Sequence, residues 1–511
     1  MRSCAHNLRL RPLPAAVLLL GGLLPGLAWA QEEGGASSGT RITPRLSVTQ
    51  TLTDNLRLQG DEQRDAASIT TISPGLLASS RSGMLRGTLD YSLDGVVYTK
   101  TEQKNQLQHR LNTRGTAELI DAALFVDVQG NISRQSVSAF GLQSPDSQLQ
   151  TGNQTEVRSL SVSPYWRASL PAQMSMQLRG DFQARDTRGS SDGDVREQGG
   201  SLNINGPQGR ALTWGLQAYM RRVDFRRTGD SGNSTATGQL NWQPDVDWTL
   251  GASAGYERSD YELGSTSSSA TYGLKLGWTP SPRTTLAADW QRHSYGNGHN
   301  FNLQHRMSRL VLRVSSVQSI STSASQSGQL SNYELFNLQF SALEPDATKR
   351  DQLVRAALQS LGLSADAITG SGFLSNSVML QKRNEVSLAY QGQRLTLTLA
   401  YSDSNSRAIS ELQASGSDDL SSSSRVHLRG VNLNLSYRVT PLSTGTLGYS
   451  QQHNRGDSGV VGSQLRALTA NWTARLGQNS DLTLGLRHTR SEAQLNAYRE
   501  NALFAQWTQR F

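Results

Sequence analysis

The chain predicts an all-β fold, a transmembrane antiparallel up-and-down β-barrel of about 22 strands, in a range of roughly 18–22, with one helical loop insertion. Three observations carry this reading. Apolar and polar residues alternate at period two along most of the sequence. Short turns bearing Pro or Gly take their places between longer polar loops. The last strand stops on the final aromatic residue, Phe511.

At the N-terminus, Arg2, Arg9 and Arg11 precede an apolar stretch from Ala15 to Leu24, and Ala28-Trp29-Ala30 supplies small residues. This layout predicts a signal peptide over 1–30, cut ahead of Gln31 after Sec-type export. Gly21, Gly22 and Pro25 interrupt a stretch already short of the ~20 apolar residues a spanning helix needs. The single cysteine, Cys4, lies ahead of that stretch, so 31–511 is expected to hold no acylated cysteine, disulfide or Cys-based metal site.

Hydrophobic residues make up 36% of the chain and mean hydropathy is −0.48, polar for a membrane protein. A wide barrel removes the contradiction, because only every second strand residue meets lipid. Disorder is the other reading of so much Ser and Gly, and the alternation and nine tryptophans argue against it. Without the three leader arginines, 46 basic residues stand against 41 acidic ones, about +5. Arginine is scattered rather than gathered on one face, which excludes nucleic acid as a partner.

The strands read in order. Leu85, Leu89, Tyr91 and Leu93 alternate with Arg86, Thr88, Asp90 and Ser92. Trp248 to Tyr256, Leu395 to Tyr401, Val431 to Val439 and Leu468 to Leu476 repeat the pattern. A 3.6-residue period would scramble such faces within two turns. Leu170-Pro171-Ala172, Gln243-Pro244-Asp245, Thr440-Pro441-Leu442 and Gly477-Gln478-Asn479 are short turns, whereas Phe140 to Asn153, Arg188 to Arg196 and Ser410 to Ser424 are long polar loops. Short and long connections at alternate junctions fit the periplasmic and outer ends of a barrel. In the last strand, Leu503, Ala505, Trp507 and Phe511 oppose Ala502, Phe504, Gln506, Thr508 and Arg510. The first four resemble the C-terminal signal read by the barrel-assembly machinery.

One segment, about 323–375, departs from the pattern. Glu344-Pro345-Asp346 can open a helix, Leu353, Val354, Ala357, Leu358 and Leu361 recur at helical spacing, and Gly362 can end it. If a turn falls near Met307-Ser308-Arg309, this insertion stands at the outer mouth, where it could cap the pore, enter it, bind a partner or decorate the rim.

Ile42-Thr43-Pro44-Arg45-Leu46-Ser47-Val48, Leu52-Thr53-Asp54-Asn55-Leu56, Ile69-Thr70-Thr71-Ile72-Ser73-Pro74-Gly75 and Leu89-Asp90-Tyr91-Ser92-Leu93 together resemble the PEP-CTERM-system-associated outer-membrane β-barrel proteins. The resemblance spans almost all of 31–511 and implies a porin-like barrel linked to exosortase and exopolysaccharide systems. Exopolysaccharide and its export proteins are the partners it implies. It transfers no catalytic residue.

The phase of the strands points Arg86, Asp90, Arg313, Arg438, Arg475 and Arg487 into the lumen, where charged rings set selectivity or pair across strands as struts. Trp166, Tyr219, Trp242, Trp278, Trp290, Trp472 and Trp507 fall mostly near strand ends, as an interfacial girdle would. His453 near Asp457, and His488 near Ser491 and Glu492, form no nucleophile–base–orienter set, so no enzyme is expected. Asp418-Asp419 reads as part of a solvated loop rather than a calcium site. No cofactor or metal is expected. The expectation is therefore an outer-membrane protein in contact with lipid, and three functions stay open: a conduit or accessory component for an exopolysaccharide system, a general diffusion porin, or a barrel plugged by its own loops.

Overall fold

The computed structural model describes residues 39–511, except 81–82, 100–102, 150, 190–192, 227–228, 263–264, 410–417, 458–461, 494–496 and much of 322–371. The expected signal peptide lies outside the described residues, as do Glu344-Pro345-Asp346, Ala357, Leu361 and Gly362. Among the described residues, 22 antiparallel strands each pair with the next, and β22 (Tyr498–Arg510) pairs with β1 (Arg41–Thr53) to close the sheet. Closure runs from Arg45 opposite Arg510 to Thr53 opposite Ala502. Strand lengths range from 10 residues in β13 (Thr284–His293) to 17 in β6 (Gln154–Leu170). About 9–11 tilted residues cross a bilayer, so the long strands stand clear of it.

The connections sort onto two ends. Residues 121–123, 171–173, 246–247, 282–283, 307–309, 392–394 and 441–442 turn at one end, and 54–66, 137–149, 372–378 and 418–424 lie at the other. The chain terminus after β22 shares the short-turn end, the periplasmic one in barrels of this kind.

Residues directly opposite on paired strands share a face, so the register separates outer wall from lumen. Leu52 stands opposite Leu503, Leu250 opposite the half-buried Leu276 and Leu486 opposite Leu503, and Leu52, Leu250, Leu486 and Leu503 lie open on the outer wall. Trp166, Trp214, Trp242, Trp248, Trp278, Trp472 and Trp507 gather toward the short-turn end of the wall. Trp248 and Trp278 touch as a cross-strand pair, ring centroids 5.7 Å apart. Indole suits the boundary between hydrocarbon and headgroups, and this is a girdle. Tyr219 is a correction to the girdle reading. It stands opposite Ser201 and Thr235, between the outward-facing Ala218 and Met220, and so faces the lumen.

The short motifs near the start have local physical reasons. Asp54 accepts from the backbone and side-chain nitrogens of Asn501, both at 2.7 Å, and Asn55 donates to the Arg499 carbonyl at 2.9 Å. Leu52-Thr53-Asp54-Asn55-Leu56 thus fastens the closing seam between β1 and β22. Gly75 leaves room for Arg45, since a Cβ there would lie 2.8 Å from its Nε. Arg45 can then reach Asp90 at 2.5 Å. Phe504, aromatic in an otherwise polar phase, lies inside the barrel over Gly485 and covers the backbone that glycine exposes.

Placing Leu486→Arg on the lipid-facing wall is expected to cost about 2–4 kcal/mol if it lies near the bilayer midplane. Reversible denaturant unfolding from lipid vesicles measures this. The same change at the lumen-facing Thr469 should cost much less.

Candidate functional site

The lumen is the site, and its two ends differ. Toward the short-turn end, Arg86, Arg438 and Arg475 project inward from positions flanked by the outward residues Leu85, Tyr437, Val439 and Leu476. Arg86 lies 3.9 Å from Glu118 and is largely exposed. Arg438 stands opposite Thr444 and Arg475 opposite Asp481. Arg313 shares the lumen face with Ser387 and Gln304. Asp90 is held by Arg45. Arg179 links Asp127 and Asp181, both at 2.8 Å, and lies over the ring of Tyr165, itself stacked on Phe125. Paired struts and further arginines therefore share this wall.

Toward the other end, loops fold inward onto the lumen wall. Loop 137–153 leaves β5 (Leu124–Ser136) and reaches well beyond its neighbours. The Ala139 carbonyl accepts from Asn454 Nδ2 at 2.6 Å and from Ser463 Oγ at 3.2 Å, on β19 (Ser443–Gly456) and β20 (Ser463–Arg475). Tyr98 donates to the Gln148 carbonyl at 2.7 Å, and Tyr498 to that of Gln143 at 2.6 Å. Leu149 is fully buried among Leu56, Leu58, Ile69, Val96, Tyr98 and Tyr498. Ala139 and Phe373 bury against Met379, Leu420, Val426 and Leu428, while Val378 sits against Val195, Val223 and Phe225. Loop hydrophobes cover inward-facing strand hydrophobes, so this end of the lumen is a dry core.

Arg487, the sixth inward residue that strand phase picks out, is the central fastening. From β21 (Ser480–Ala493) it donates to Asp146 at 2.6 Å and to Glu500 at 2.8 Å and 3.2 Å. Glu500 is fully buried and also accepts from Thr53 Oγ1 at 3.0 Å. Asp146 therefore docks the loop onto a charge that the barrel wall already holds.

Asp418 and Asp419 are a second fastening, which corrects the solvated-loop reading. Asp419 is 6% exposed and accepts from Ser138 Oγ and the Ala139 amide, both at 2.6 Å. Asp418 caps the short helical turn Asp419–Ser422 and accepts from the Asn376 amide at 2.9 Å and Ser375 Oγ at 3.0 Å. Asn376 in turn accepts from the Gly193 amide at 2.7 Å. Adjacent carboxylates thus tie two different segments, 137–153 and 372–378, into one lid. Sequence phase cannot find this, because the partners of Asp419 lie some 280 residues away and those of Asp418 some 42. Burial pushes the Asp419 carboxyl up to about 6, with the Asp418 charge adding to the rise against the Ser138 and Ala139 hydrogen bonds.

In the insertion, Arg350, Asp351, Leu353, Val354 and Leu358 are helical, with Val354 and Leu358 buried and Leu353 exposed. A second helical set that the sequence reading missed, Tyr333, Phe336, Asn337 and Phe340, packs against them. Tyr333 donates to Asp351 at 2.5 Å and Arg350 to Asn337 at 2.7 Å. The histidine candidates do not converge on a nucleophile: His488 Nδ1 meets Asn501 Oδ1 at 2.7 Å, and His453 stands opposite Arg429 and Gln464. Among the described residues no group of His, Cys, Asp and Glu could hold a metal ion.

No protein-family model matches the chain, and no curated protein matches it. Solved structures that resemble it include the siderophore receptor PirA from Acinetobacter baumannii, at 10% identity and TM-score 0.47, covering 94% of this chain and 81% of that one. The FrpB iron transporter from Neisseria meningitidis has 9% identity and TM-score 0.48, covering 92% and 81%. The outer membrane protein opdK from Pseudomonas aeruginosa has 10% identity and TM-score 0.35, covering 92% and 99%. At such scores these likenesses carry no functional argument. Closure, apolar wall and girdle decide the class. The chain is an outer-membrane β-barrel.

Two outcomes are expected for the lid. Arg487→Gln leaves Glu500 buried without its partner, at a cost of about 3–5 kcal/mol, and should free loop 137–153. Protease cleavage within that loop in the folded barrel measures the release. Asp146→Asn spares the Arg487–Glu500 pair and should release the loop less. Because docked Asp419 holds its proton more tightly than an undocked carboxyl, docking is strongest below the ordinary value of 3.8 and weakens as pH rises through about 6. A spin label at Ser144→Cys, with Cys4 replaced if the leader is retained, should be more mobile at pH 7.5 than at pH 5. Asp419→Asn should flatten that dependence.

Proposed function

We propose that this barrel is a non-enzymatic conduit or accessory component of an exopolysaccharide- or exosortase-linked surface system, closed at its outer mouth by its own loops. The observation that carries the gated reading is the fastening of loop 137–153 to separate strands and loops through Arg487, Tyr98, Tyr498, Asn454 and Asp419. The polysaccharide association is supported by the resemblance of Ile42–Val48, Leu52–Leu56, Ile69–Gly75 and Leu89–Leu93 to the family named above. Passage would be passive. Hydrogen-bonding groups in the lumen replace part of a hydrated polymer's water, and inward arginines favour acidic groups. The number of lid bonds also favours a second reading, a permanently plugged structural or surface-binding barrel. An open diffusion porin needs a mouth without that lid.

Planar-bilayer conductance separates the three. Under the gated reading the native barrel conducts little, and the double variant Asp146→Ala/Asp419→Ala conducts at pore level with block by an acidic polysaccharide such as alginate. Deleting 325–375 tests whether the insertion contributes to closure. Large, persistent conductance of the native barrel supports the porin instead. Silence in every folded variant supports the plug.

A further inference from the structure

The outer wall between β13 and β16 (Met379–Gln391) carries a polar patch at the upper border of the apolar belt. The register of β13, β14 (Gly296–Arg306), β15 (Leu310–Ser321) and β16 lays the outward residues in rows. Trp290, His299, Gln318 and Lys382 are successive partners, and Phe301, Ser316 and Asn384 form the next row toward the short-turn end. Leu303, Val314 and Val386 follow below them, so the patch begins where the greasy wall ends. Arg292, two residues above Trp290, faces the same way and donates to Asn297 at 3.2 Å.

Within the patch, His299 Nε2 and Ser316 Oγ lie 2.9 Å apart, and Ser316 donates to Asn384 Oδ1 at 2.8 Å. Lys382 shares the His299 row, two strands away through Gln318. Among the described residues neither Arg292 nor Lys382 has a carboxylate partner. The carboxylate beside the patch, Asp403 opposite Asn384, already accepts from His427 Nε2 and Arg429 Nε, both at 3.0 Å. Basic groups are thus collected at the lipid border, with hydroxyl and amide groups between them and the neighbouring carboxylate engaged elsewhere. Cations at this depth beside a low-dielectric wall attract anions more strongly than they do in open water.

We propose that Arg292, His299, Ser316, Lys382 and Asn384 form a binding site for the phosphate of a phosphorylated outer-leaflet lipid. The acyl chains of such a lipid would lie along Phe301, Leu303, Val314 and Val386, while its phosphate accepts charge-assisted hydrogen bonds from Lys382, and Arg292, three strands away, adds to the positive field that draws it in. The site is independent of the lumen and of the conduit reading.

Native mass spectrometry of the purified full-length barrel in detergent tests this, with added diphosphorylated lipid A, dephosphorylated lipid A or inorganic phosphate. The native barrel should retain the diphosphorylated lipid in preference to the dephosphorylated one. The variant Arg292→Gln/His299→Gln/Lys382→Gln should lose that retention by about tenfold or more. Lys275→Gln, on the lumen face opposite Gly251, should not. Heat-modifiable migration on gels confirms that each variant is folded. Equal retention by the triple variant, or equal retention of the dephosphorylated lipid, overturns the proposal. So does displacement of the lipid by inorganic phosphate at a matched concentration, which would make this a site for free anion.

Discussion

In hydrocarbon there is no water to satisfy a backbone N–H or C=O, and the pairing of β22 with β1 is what removes the last unpaired edge of this sheet. Every other feature rests on that closure. It allows 22 strands of modest hydrophobicity to cross lipid, because backbone polarity is hidden in the ladder and only alternate side chains need be apolar. Asp54 and Asn55 guard one end of the seam through Asn501 and Arg499. At the other, the Phe511 amide donates to the Pro44 carbonyl.

Closure also creates an interior that must be filled, wetted or both. The short-turn half is wetted and held by cross-strand pairs such as Arg45–Asp90 and Arg179–Asp127. At the far end, inward positions such as Ile69, Val96, Val223 and Phe225 are apolar and would be costly against water. The loops bring Leu56, Leu149, Phe373 and Val378 to cover them. A lid fastened by buried carboxylates differs from one held by grease alone. The charges of Asp146, Arg487 and Glu500 are stable only while paired, so a change at one of the three is felt by the others.

Phase, turn chemistry and the terminal aromatic made the barrel, its strand number and the phase of its faces legible in the sequence. Arg86, Arg313, Arg438, Arg475 and Arg487 are alike at that level, each an arginine opposite apolar neighbours. Their differences arise from what the fold brings across the lumen. Arg487 meets Asp146 and Glu500 because loop 137–153 reaches over to β21 and β22, whereas Arg86 meets Glu118 on the adjacent strand, 3.9 Å away. Asp418-Asp419 shows the same gap. Two adjacent acids amid serines carry the composition of a solvated loop, and nothing local says that Ser138, Ala139 and Asn376 will come to meet them. Tyr219 was ambiguous for another reason: closeness to a strand end does not tell lumen from lipid, and register does.

The sequence by itself determined the period-two pattern and its punctuation, since each strand need only know which of its own residues face lipid. Tertiary structure alone decided where loops fold onto the lumen wall, which carboxylates hold them there, and which arginines are fastened. Those outcomes depend on the width of the closed cylinder and the reach of loops across it, distances that no local pattern encodes.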